Sequence, residues 1–253
     1  MDSSDRRKNL ESCESLTPYR RFIYVAGGAA GCLLILYSLG TMCQIILLGG
    51  PPTSAIEAFA LLQTNRVLGL MRLDFLTMIA MPLYYCVFLG LFMALKRVDP
   101  ALPLVSLLLV FVGVTLLLAT PGAFSMLWLS EKHALADSET TRRQLEAAGE
   151  AILASDLWHG TGAILGGILV QCGGVLMSAA MIRTEVFSKA CAYVGILSFG
   201  LDLLRILLGL FAPWAAFLMT IAGPLYLVWF YLVSRTLFTL PQNDPFPGFM
   251  AST

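Results

Sequence analysis

Six apolar stretches, each long enough to cross a lipid bilayer, constrain this 253-residue chain more than any other feature. The hydrocarbon core of a bilayer is about 30 Å thick, so a helix needs about 20 apolar residues to cross it. The stretches that meet this length lie at 22–48, 73–95, 101–120, 157–182, 190–212 and 214–238. Because unpaired backbone groups are costly in lipid, each stretch is predicted to be a helix.

The composition agrees with a protein that has lipid as its solvent. Hydrophobic residues make up 58% of the chain and charged residues only 13%, whereas a soluble domain carries about a quarter charged residues. The formal net charge is zero, which gives no reason to expect a nucleic acid as a partner. We therefore predict an all-α polytopic transmembrane bundle of about six spans, whose main partner is the lipid bilayer.

The predicted spans divide the chain into three parts. Residues 1–18 are polar and of mixed charge, which predicts a disordered cytoplasmic tail. Residues 19–240 form a single transmembrane domain, and 241–253 form a C-terminal tail. Within the domain, Pro82 and Pro213 are expected to interrupt or begin helices, because proline starts a helix more readily than it continues one.

Lysine and arginine are unevenly divided between the two sides of the predicted bundle. With six spans both termini share a side, which carries ten of these residues against five on the opposite side. Because cytoplasmic loops are richer in lysine and arginine, the termini are predicted to be cytoplasmic in a multi-pass protein of the plasma membrane. In this orientation the opposite side carries three connections between spans, and two of these outer connections are long.

Both long outer connections carry helix signals. Ser54 and Glu57 have the spacing of a capping box and open a helix that runs towards Leu70. Asp137 or Ser138 can cap a second helix, which carries an apolar stripe. We predict two short extramembrane interfacial helices that rest on the bilayer, with a lid over a ligand site as the alternative.

Ionisable residues inside a span are costly, so each one requires an explanation. Asp202 and Arg205 lie near the middle of the fifth stretch, three residues apart and therefore on one helix face. Gln171 lies at a comparable depth in the fourth stretch. The functional interpretation is a midplane site for a ligand, an ion or a proton. The structural interpretation is a neutral pair that locks the fifth helix to a neighbour.

A second polar group gathers at the outer ends of two spans. Arg72 and Asp74 lie at the start of the second stretch, and Asp156 and His159 lie at the start of the fourth. A carboxylate three residues before a histidine can orient its imidazole, so this group is a candidate acid–base site at the mouth of a cavity. Charged residues also mark where helices leave lipid, and Asp156 is placed to act as a helix cap.

The sequence lacks the common motifs of catalysis and metal binding. None of the six cysteines forms a C-x-x-C pair, and two histidines are too few for a multi-histidine metal centre. The chain has no G-x-S-x-G, no H-E-x-x-H and no glycine-rich phosphate loop. We therefore predict no catalytic residue, no metal and no cofactor, and we favour a non-enzymatic role.

Glycines recur along the fourth stretch. Gly160, Gly167 and Gly174 are spaced seven residues apart, and Gly162 with Gly166 forms a G-x-x-x-G motif. A stripe of small residues lets a second helix approach closely in a membrane. The stripe predicts either close packing within the chain or a homo-oligomer.

Several short segments, taken in order, resemble a known family. They are Asn65-Arg66, KRVDP at 96–100, LEAAGEA at 145–151, RTEVFSK at 183–189 followed by AYVGIL at 192–197, and PLYLVWF at 224–230 before Arg235. On these segments the chain resembles the prokaryotic membrane proteins grouped as domain of unknown function 4386, over about residues 20–240. The resemblance implies a multi-pass protein of six helices, and it implies no activity, cofactor or catalytic residue.

Three functions remain as hypotheses. In the first, which we favour, the chain binds a lipid or a small apolar ligand, or senses the membrane, with the outer helices covering the bundle. In the second, it is a small transporter or channel subunit that uses Asp202 and Arg205. In the third, it is an intramembrane enzyme that uses Asp156 and His159.

Overall fold

The computed structural model describes residues 3–98, 100–120, 122–156 and 159–240, and for 3–18 and Pro213 it describes the backbone alone. Within these ranges the regular structure is helical and contains no strand, which confirms the all-α prediction. The C-terminal tail at 241–253 and the first two residues of the predicted fourth stretch, 157–158, lie outside the described residues.

Eleven α-helices and one 3-10 helix make up the described part of the chain. In chain order the α-helices are α1 (Ser3–Leu48), α2 (Ala55–Thr64), α3 (Arg66–Arg72), α4 (Phe75–Ala80), α5 (Pro82–Leu95), α6 (Ala101–Ala119), α7 (Ala123–Ala134), α8 (Glu139–Ala154), α9 (Thr161–Ile182), α10 (Lys189–Gly209) and α11 (Leu218–Thr239). The 3-10 helix, Pro213–Phe217, joins α10 to α11.

Six segments in the described residues are long and apolar enough to cross a membrane, so the chain is a multi-pass membrane protein. They are Tyr19–Leu48, Phe75–Leu95, Ala101–Ala134, Thr161–Ile182, Lys189–Gly209 and Trp214–Thr239. We call the side where the first segment begins and the last one ends the terminal side, and the opposite side the outer side. The third segment consists of α6, whose 19 residues at 1.5 Å each give about 29 Å and so match a hydrocarbon core of about 30 Å, and of α7 at its outer end.

The first helix begins earlier than the sequence predicts. α1 starts at Ser3, so the backbone of 3–18 is helical where the composition predicts a disordered tail. Extension of the span towards the N-terminus needs no new nucleation step, although Pro18 lacks a backbone N–H and leaves one hydrogen bond of the helix unmade.

The second span is built from two short helices. Asp74 has a left-handed backbone with φ of 60°, which separates α3 from α4. This is why the span begins at Phe75 and not at Leu73. Pro82 is the first residue of α5, so the interruption predicted at this proline is present.

The six spans form a closed ring in chain order. α1 packs on α5, α5 on α6, α6 on α9, α9 on α10 and α10 on α11, and α11 returns to α1. The backbones of α6 and α9 approach very closely: a Cβ on Gly113 would lie 2.7 Å from the carbonyl oxygen of Gly166, and a Cβ on Gly166 would lie 2.7 Å from that of Gly113. Glycine at both positions is what permits this approach.

The other glycines of α9 also pack within the chain. Gly173 faces α6, while Gly167 and Gly174 face Ile206 and Phe199 of α10. Close packing within the chain, one of the two uses predicted for the glycine stripe, is therefore present. A homo-oligomer through the same glycines stays a prediction.

Four helices, α2, α3, α7 and α8, pack together at the outer end of the bundle and are called the outer cap. Their apolar faces form a second hydrophobic core around Phe59, Leu62 and Met126, apart from the core of the spans. Glu150 of α8 accepts a hydrogen bond from the backbone N–H of Ala55 in α2 at 2.7 Å. Both predicted outer helices are thus present, and their apolar stripes contact each other. The first ends at Thr64 and not near Leu70, because the side chain of Asn65 caps a separate helix, α3.

Candidate functional site

Asp202 is the centre of a hydrogen-bonded network inside the spans. Its Oδ1 accepts a hydrogen bond from Arg205 Nε at 2.5 Å, and its Oδ2 accepts one from Gln171 Nε2 at 2.7 Å. The carboxylate is buried, so these bonds form in a region of low dielectric constant, where they are strong. The structure therefore brings together all three polar residues that the sequence singles out within the membrane.

Tyr226 of α11 is a fourth member of the network, and the sequence analysis missed it. Its hydroxyl lies 2.7 Å from Gln171 Oε1 and 3.2 Å from Asp202 Oδ2, and its single proton is donated to one of them at a time. The network therefore joins α9, α10 and α11. The signal in the sequence is a tyrosine near the middle of the sixth span, because a buried tyrosine hydroxyl usually has a hydrogen-bond partner.

The residues of the network lie at different depths along their helices. α10 has 21 residues and is about 31 Å long, close to the thickness of the hydrocarbon core. Counted from the end of α10 at Gly209, Arg205 lies about 6 Å inside and Asp202 about 10 Å inside. Gln171 lies at the middle of α9, between Thr161 and Ile182, so the network extends from the middle of α9 to the outer half of α10, and the predicted midplane position stays a prediction.

Buried aromatic rings close the bundle on the terminal side of the network. Phe199 precedes Asp202 by one helical turn, and Trp229 follows Tyr226 by one turn. The rings of Phe199 and Trp229 meet edge to face with their centroids 4.8 Å apart, and Phe88 lies 6.3 and 6.1 Å from them. These rings fill the centre of the ring of helices, so the network is sealed towards the terminal side.

Four of the helices have few buried residues in their outer halves. After Asp202 no residue up to the end of α10 is buried, and after Leu34 none is buried up to the end of α1. In α4 only Ala80 is buried, and in α11 before Tyr226 only Ala222 is buried. Most side chains in the outer parts of these helices are therefore at least partly exposed, and the side chain of Arg205, which is 23% exposed, is the part of the network that can be reached from outside.

The second predicted group, at the outer ends of the spans, is only partly assembled. Arg72, Asp74 and Asp156 line one cavity of about 30 Å³ between the outer cap and the spans. The imidazole of His159 is not part of this lining; it is 72% exposed and lies 3.0 Å from Asp156. A space of this size holds about one water molecule. The acid–base pair therefore has no enclosed space for a substrate beside it.

The Asp156 carboxylate also has a structural role. Its Oδ1 accepts a hydrogen bond from the backbone N–H of His159 at 2.9 Å, just before α9 begins. α9 itself is preceded by Gly160 at the cap position. Asp156 thus stabilises the turn that leads into the helix and does not cap the helix directly.

Arg72 holds the connection between α1 and α2. Its Nε donates to the carbonyl oxygen of Gly50 at 2.7 Å, and its Nη2 donates to Glu57 Oε1 at 2.8 Å. Glu57 Oε2 accepts from the backbone N–H of Thr53 at 2.9 Å and from its hydroxyl at 3.1 Å. The Thr53 backbone bond first, and then the Thr53 hydroxyl and the Arg72 guanidinium, lower the pKa of Glu57. This arrangement fixes a loop and offers no free group for chemistry.

Other reactive side chains are scattered. No group of three His, Cys, Asp or Glu side chains in the described ranges could hold a metal ion. The five cysteines whose side chains are described, Cys32, Cys43, Cys86, Cys172 and Cys191, are all free thiols. The network of α9, α10 and α11 is therefore the strongest candidate site in the described part of the chain.

Comparison with known proteins adds no assignment to this site. No protein-family model matches the chain, and no curated protein and no solved structure matches it. The resemblance to domain of unknown function 4386 accordingly stays a prediction. The site has to be interpreted from its own chemistry.

Proposed function

We propose that this chain is a non-enzymatic membrane protein that binds a lipid or another amphiphile from the outer half of the bilayer, with the polar end of the ligand near Arg205. The observation that carries the proposal is the asymmetry of the site. Aromatic rings close the bundle on the terminal side of the network, while the outer halves of four helices have few buried residues. A ligand can therefore approach the polar groups from one side only.

The arrangement of the polar groups supports a binding role. Asp202 accepts hydrogen bonds on both of its oxygens, so its carboxylate holds the guanidinium of Arg205 in place and is not free to act as a base. Gln171 and Tyr226 in turn hold the second carboxylate oxygen. Groups that are held in position before the ligand arrives lose little freedom on binding, which favours affinity.

The orientation in the membrane follows from the distribution of lysine and arginine. We place the termini in the cytoplasm and the chain in the plasma membrane. The outer cap and the open side of the network then face the cell exterior, so the ligand comes from the outer leaflet.

Transport through Asp202 and Arg205 is the second candidate, and the burial of an ion pair within a span favours it. Transport requires the aromatic rings below the network to separate, because these rings fill the centre of the bundle. Catalysis by Asp156 and His159 has less support, since the imidazole is exposed and the adjacent cavity holds about one water molecule.

Photo-crosslinking with a lipid tests the proposal. The purified protein in detergent is mixed with a trace of a phospholipid that carries a diazirine near the top of one acyl chain, irradiated, and digested for mass spectrometry. We expect adducts on the outer halves of α10 and α11 that disappear when excess unlabelled lipid is added. Adducts at the lipid-facing Leu104 and Leu108 of α6 serve as the internal control, because contact there is not selective.

Two results would contradict binding. Labelling that is spread evenly over all lipid-facing helices, and that excess lipid does not displace, would show that the outer half of the bundle has no site. A liposome flux that disappears in Asp202→Asn plus Arg205→Leu, with the amount of folded protein unchanged, would favour transport instead.

A further inference from the structure

The guanidinium of Arg205 has more donors than the network uses. An arginine carries five N–H groups, and only the Nε group of Arg205 has a protein partner in the described residues, namely Asp202. The four N–H groups on Nη1 and Nη2 have no acceptor in that part of the chain. These groups belong to a partly exposed side chain, so they face lipid or water beside α10.

Unpaired donors are costly at this depth. Arginine remains charged in proteins, and polar groups without partners are strongly disfavoured in hydrocarbon. The nearby acceptors of the network are already occupied: Asp202 accepts from Arg205 and Gln171, and Gln171 Oε1 accepts from Tyr226. Because the described residues supply no further acceptor, we look for it in a bound molecule or in water.

The shape of the free donors indicates the chemistry of their partner. Nη1 and Nη2 form a planar fork that matches two oxygens of a carboxylate or a phosphate. The side chain of Arg205 lies in the last turns of α10, which ends at Gly209, and is 23% exposed, so an oxyanion can reach the fork from outside the bundle. The charges of Asp202 and Arg205 cancel, so the network carries no net negative charge to repel an anion.

Exposed apolar side chains follow Arg205 along the chain. Large hydrophobic residues are exposed along the end of α10 and through the turn into α11: Leu207, Leu210, Phe211, Trp214 and Phe217. Such a strip can accommodate an acyl chain, and tryptophan is enriched at the membrane interface. The position of the strip directly after Arg205 favours a ligand that carries both an anionic head and an apolar chain.

We infer that the ligand is an amphiphile with an oxyanionic head, a phosphate or a carboxylate, held by the Nη fork of Arg205 while its apolar chain lies along the hairpin of α10 and α11. This inference rests on the proposed function and adds the chemical class of the ligand to it.

Pairs of amphiphiles that differ only in the head test the inference. Native mass spectrometry of the protein in detergent gives the dissociation constant of each ligand. The first pair is phosphatidic acid and diacylglycerol, and the second is a fatty acid and the matching fatty alcohol. For the wild type we expect the anionic member of each pair to bind at least about tenfold more tightly, since a charge-assisted hydrogen bond contributes about 1.5–3 kcal/mol. Inorganic phosphate is tested alone to distinguish a lipid headgroup from a free anion.

Variants of Arg205 assign the preference to the fork. In Arg205→Gln the ratio of the two dissociation constants should fall towards one, and in Arg205→Lys, which keeps the charge and loses the planar fork, it should be intermediate. Arg143→Gln is the matched control, because this arginine lies in the outer cap and is exposed; its ratio should equal that of the wild type.

The outcomes separate this inference from the proposed function. Equal affinity of the wild type for the charged and neutral members would contradict the preference for an oxyanionic head and leave amphiphile binding in place. The absence of saturable binding of any amphiphile would contradict both this inference and the proposed function. Binding of inorganic phosphate alone, lost in Arg205→Gln, would overturn the lipid source. If Arg205→Gln does not fold, Arg205→Lys decides the question. A ratio of dissociation constants equal to that of the wild type in Arg205→Lys would show that the planar fork of Arg205 does not hold the head.

Discussion

The hydroxyl of Tyr226 lies 2.7 Å from Oε1 of Gln171, and this hydrogen bond ties α11 to α9. The amide of the same glutamine donates to Asp202 of α10, which also holds Arg205. Polar groups that keep their partners are tolerated inside a bundle, but removing one partner leaves another group unsatisfied in a region without water. The stability of these three spans therefore depends on a complete network.

Removing the Tyr226 hydroxyl tests its role in the network. We expect Tyr226→Phe to lower the stability of the protein by about 1–3 kcal/mol, because Gln171 loses a donor in a buried site. The measurement is thermal unfolding in detergent. Tyr231→Phe is the control, since Tyr231 lies on the same helix and is 57% exposed, and its Tm should not change. Equal Tm values for Tyr226→Phe and the wild type would show that the hydroxyl contributes nothing.

The charge of Arg205 needs its counter-ion. Asp202→Asn leaves a charged guanidinium in a span without its carboxylate, which costs about 3–5 kcal/mol for a buried pair. The double variant Asp202→Asn plus Arg205→Leu removes both charges and should recover part of the folded yield. The folded yields of the single and the double variant are measured as the fraction of monodisperse protein in size-exclusion chromatography. A double variant that folds less well than the single variant would contradict the pairing.

The close approach of α6 and α9 depends on glycine. In Gly166→Ala the added Cβ would lie 2.7 Å from the carbonyl oxygen of Gly113, so the helices must move apart and the Tm should fall. Gly200→Ala is the matched control in a neighbouring span, because its Cβ would meet no atom within 4 Å. Alanine is a better helix former than glycine by about 1 kcal/mol, so the Tm of Gly200→Ala should stay the same or rise. Equal effects of the two substitutions would argue against this crossing.

The stability of the loop between α1 and α2 should depend on pH through Glu57. Because its pKa is lowered in the folded protein, its hydrogen bonds contribute stability above the ordinary value of 4.5, and that contribution is lost as the pH falls through the folded value. We expect the protection of 49–54 against hydrogen exchange, corrected for the intrinsic rate, to decrease as the pH drops below 4.5.

Two variants check the origin of this pH effect. Glu57→Gln should show low protection of the loop at every pH, because the charge that Arg72 and Thr53 stabilise is gone. Glu139→Gln should behave as the wild type, since the pair of Glu139 with Arg143 is exposed and lies in α8. A decrease of the same size in Glu57→Gln would mean that another group titrates.

Local features were predictable because helix geometry alone sets them. Ser54 accepts from the backbone N–H of Glu57 at 3.2 Å, which is the first half of the predicted capping box. The second half differs, since the carboxylate of Glu57 accepts from the backbone N–H of Thr53 and not from that of Ser54. Ser138, one of two candidates, caps α8. Each of these contacts joins residues at most four positions apart.

The sequence by itself determined the six spans, their breaks and the ion pair of Asp202 with Arg205, because length, hydropathy and spacing along one helix decide these features. Only the tertiary structure decided that Gln171 and Tyr226, 55 residues apart, complete the network, that the outer helices pack on each other, and that the imidazole of His159 is exposed and does not line the nearby cavity. The sequence does not determine which helices are neighbours because the solvent is lipid. Lipid is as apolar as the side chains that face it, so hydropathy does not distinguish the face of a helix that meets a neighbour from the face that meets the bilayer. Neighbours are selected by shape, as where Gly113 meets Gly166, and by hydrogen bonds between helices.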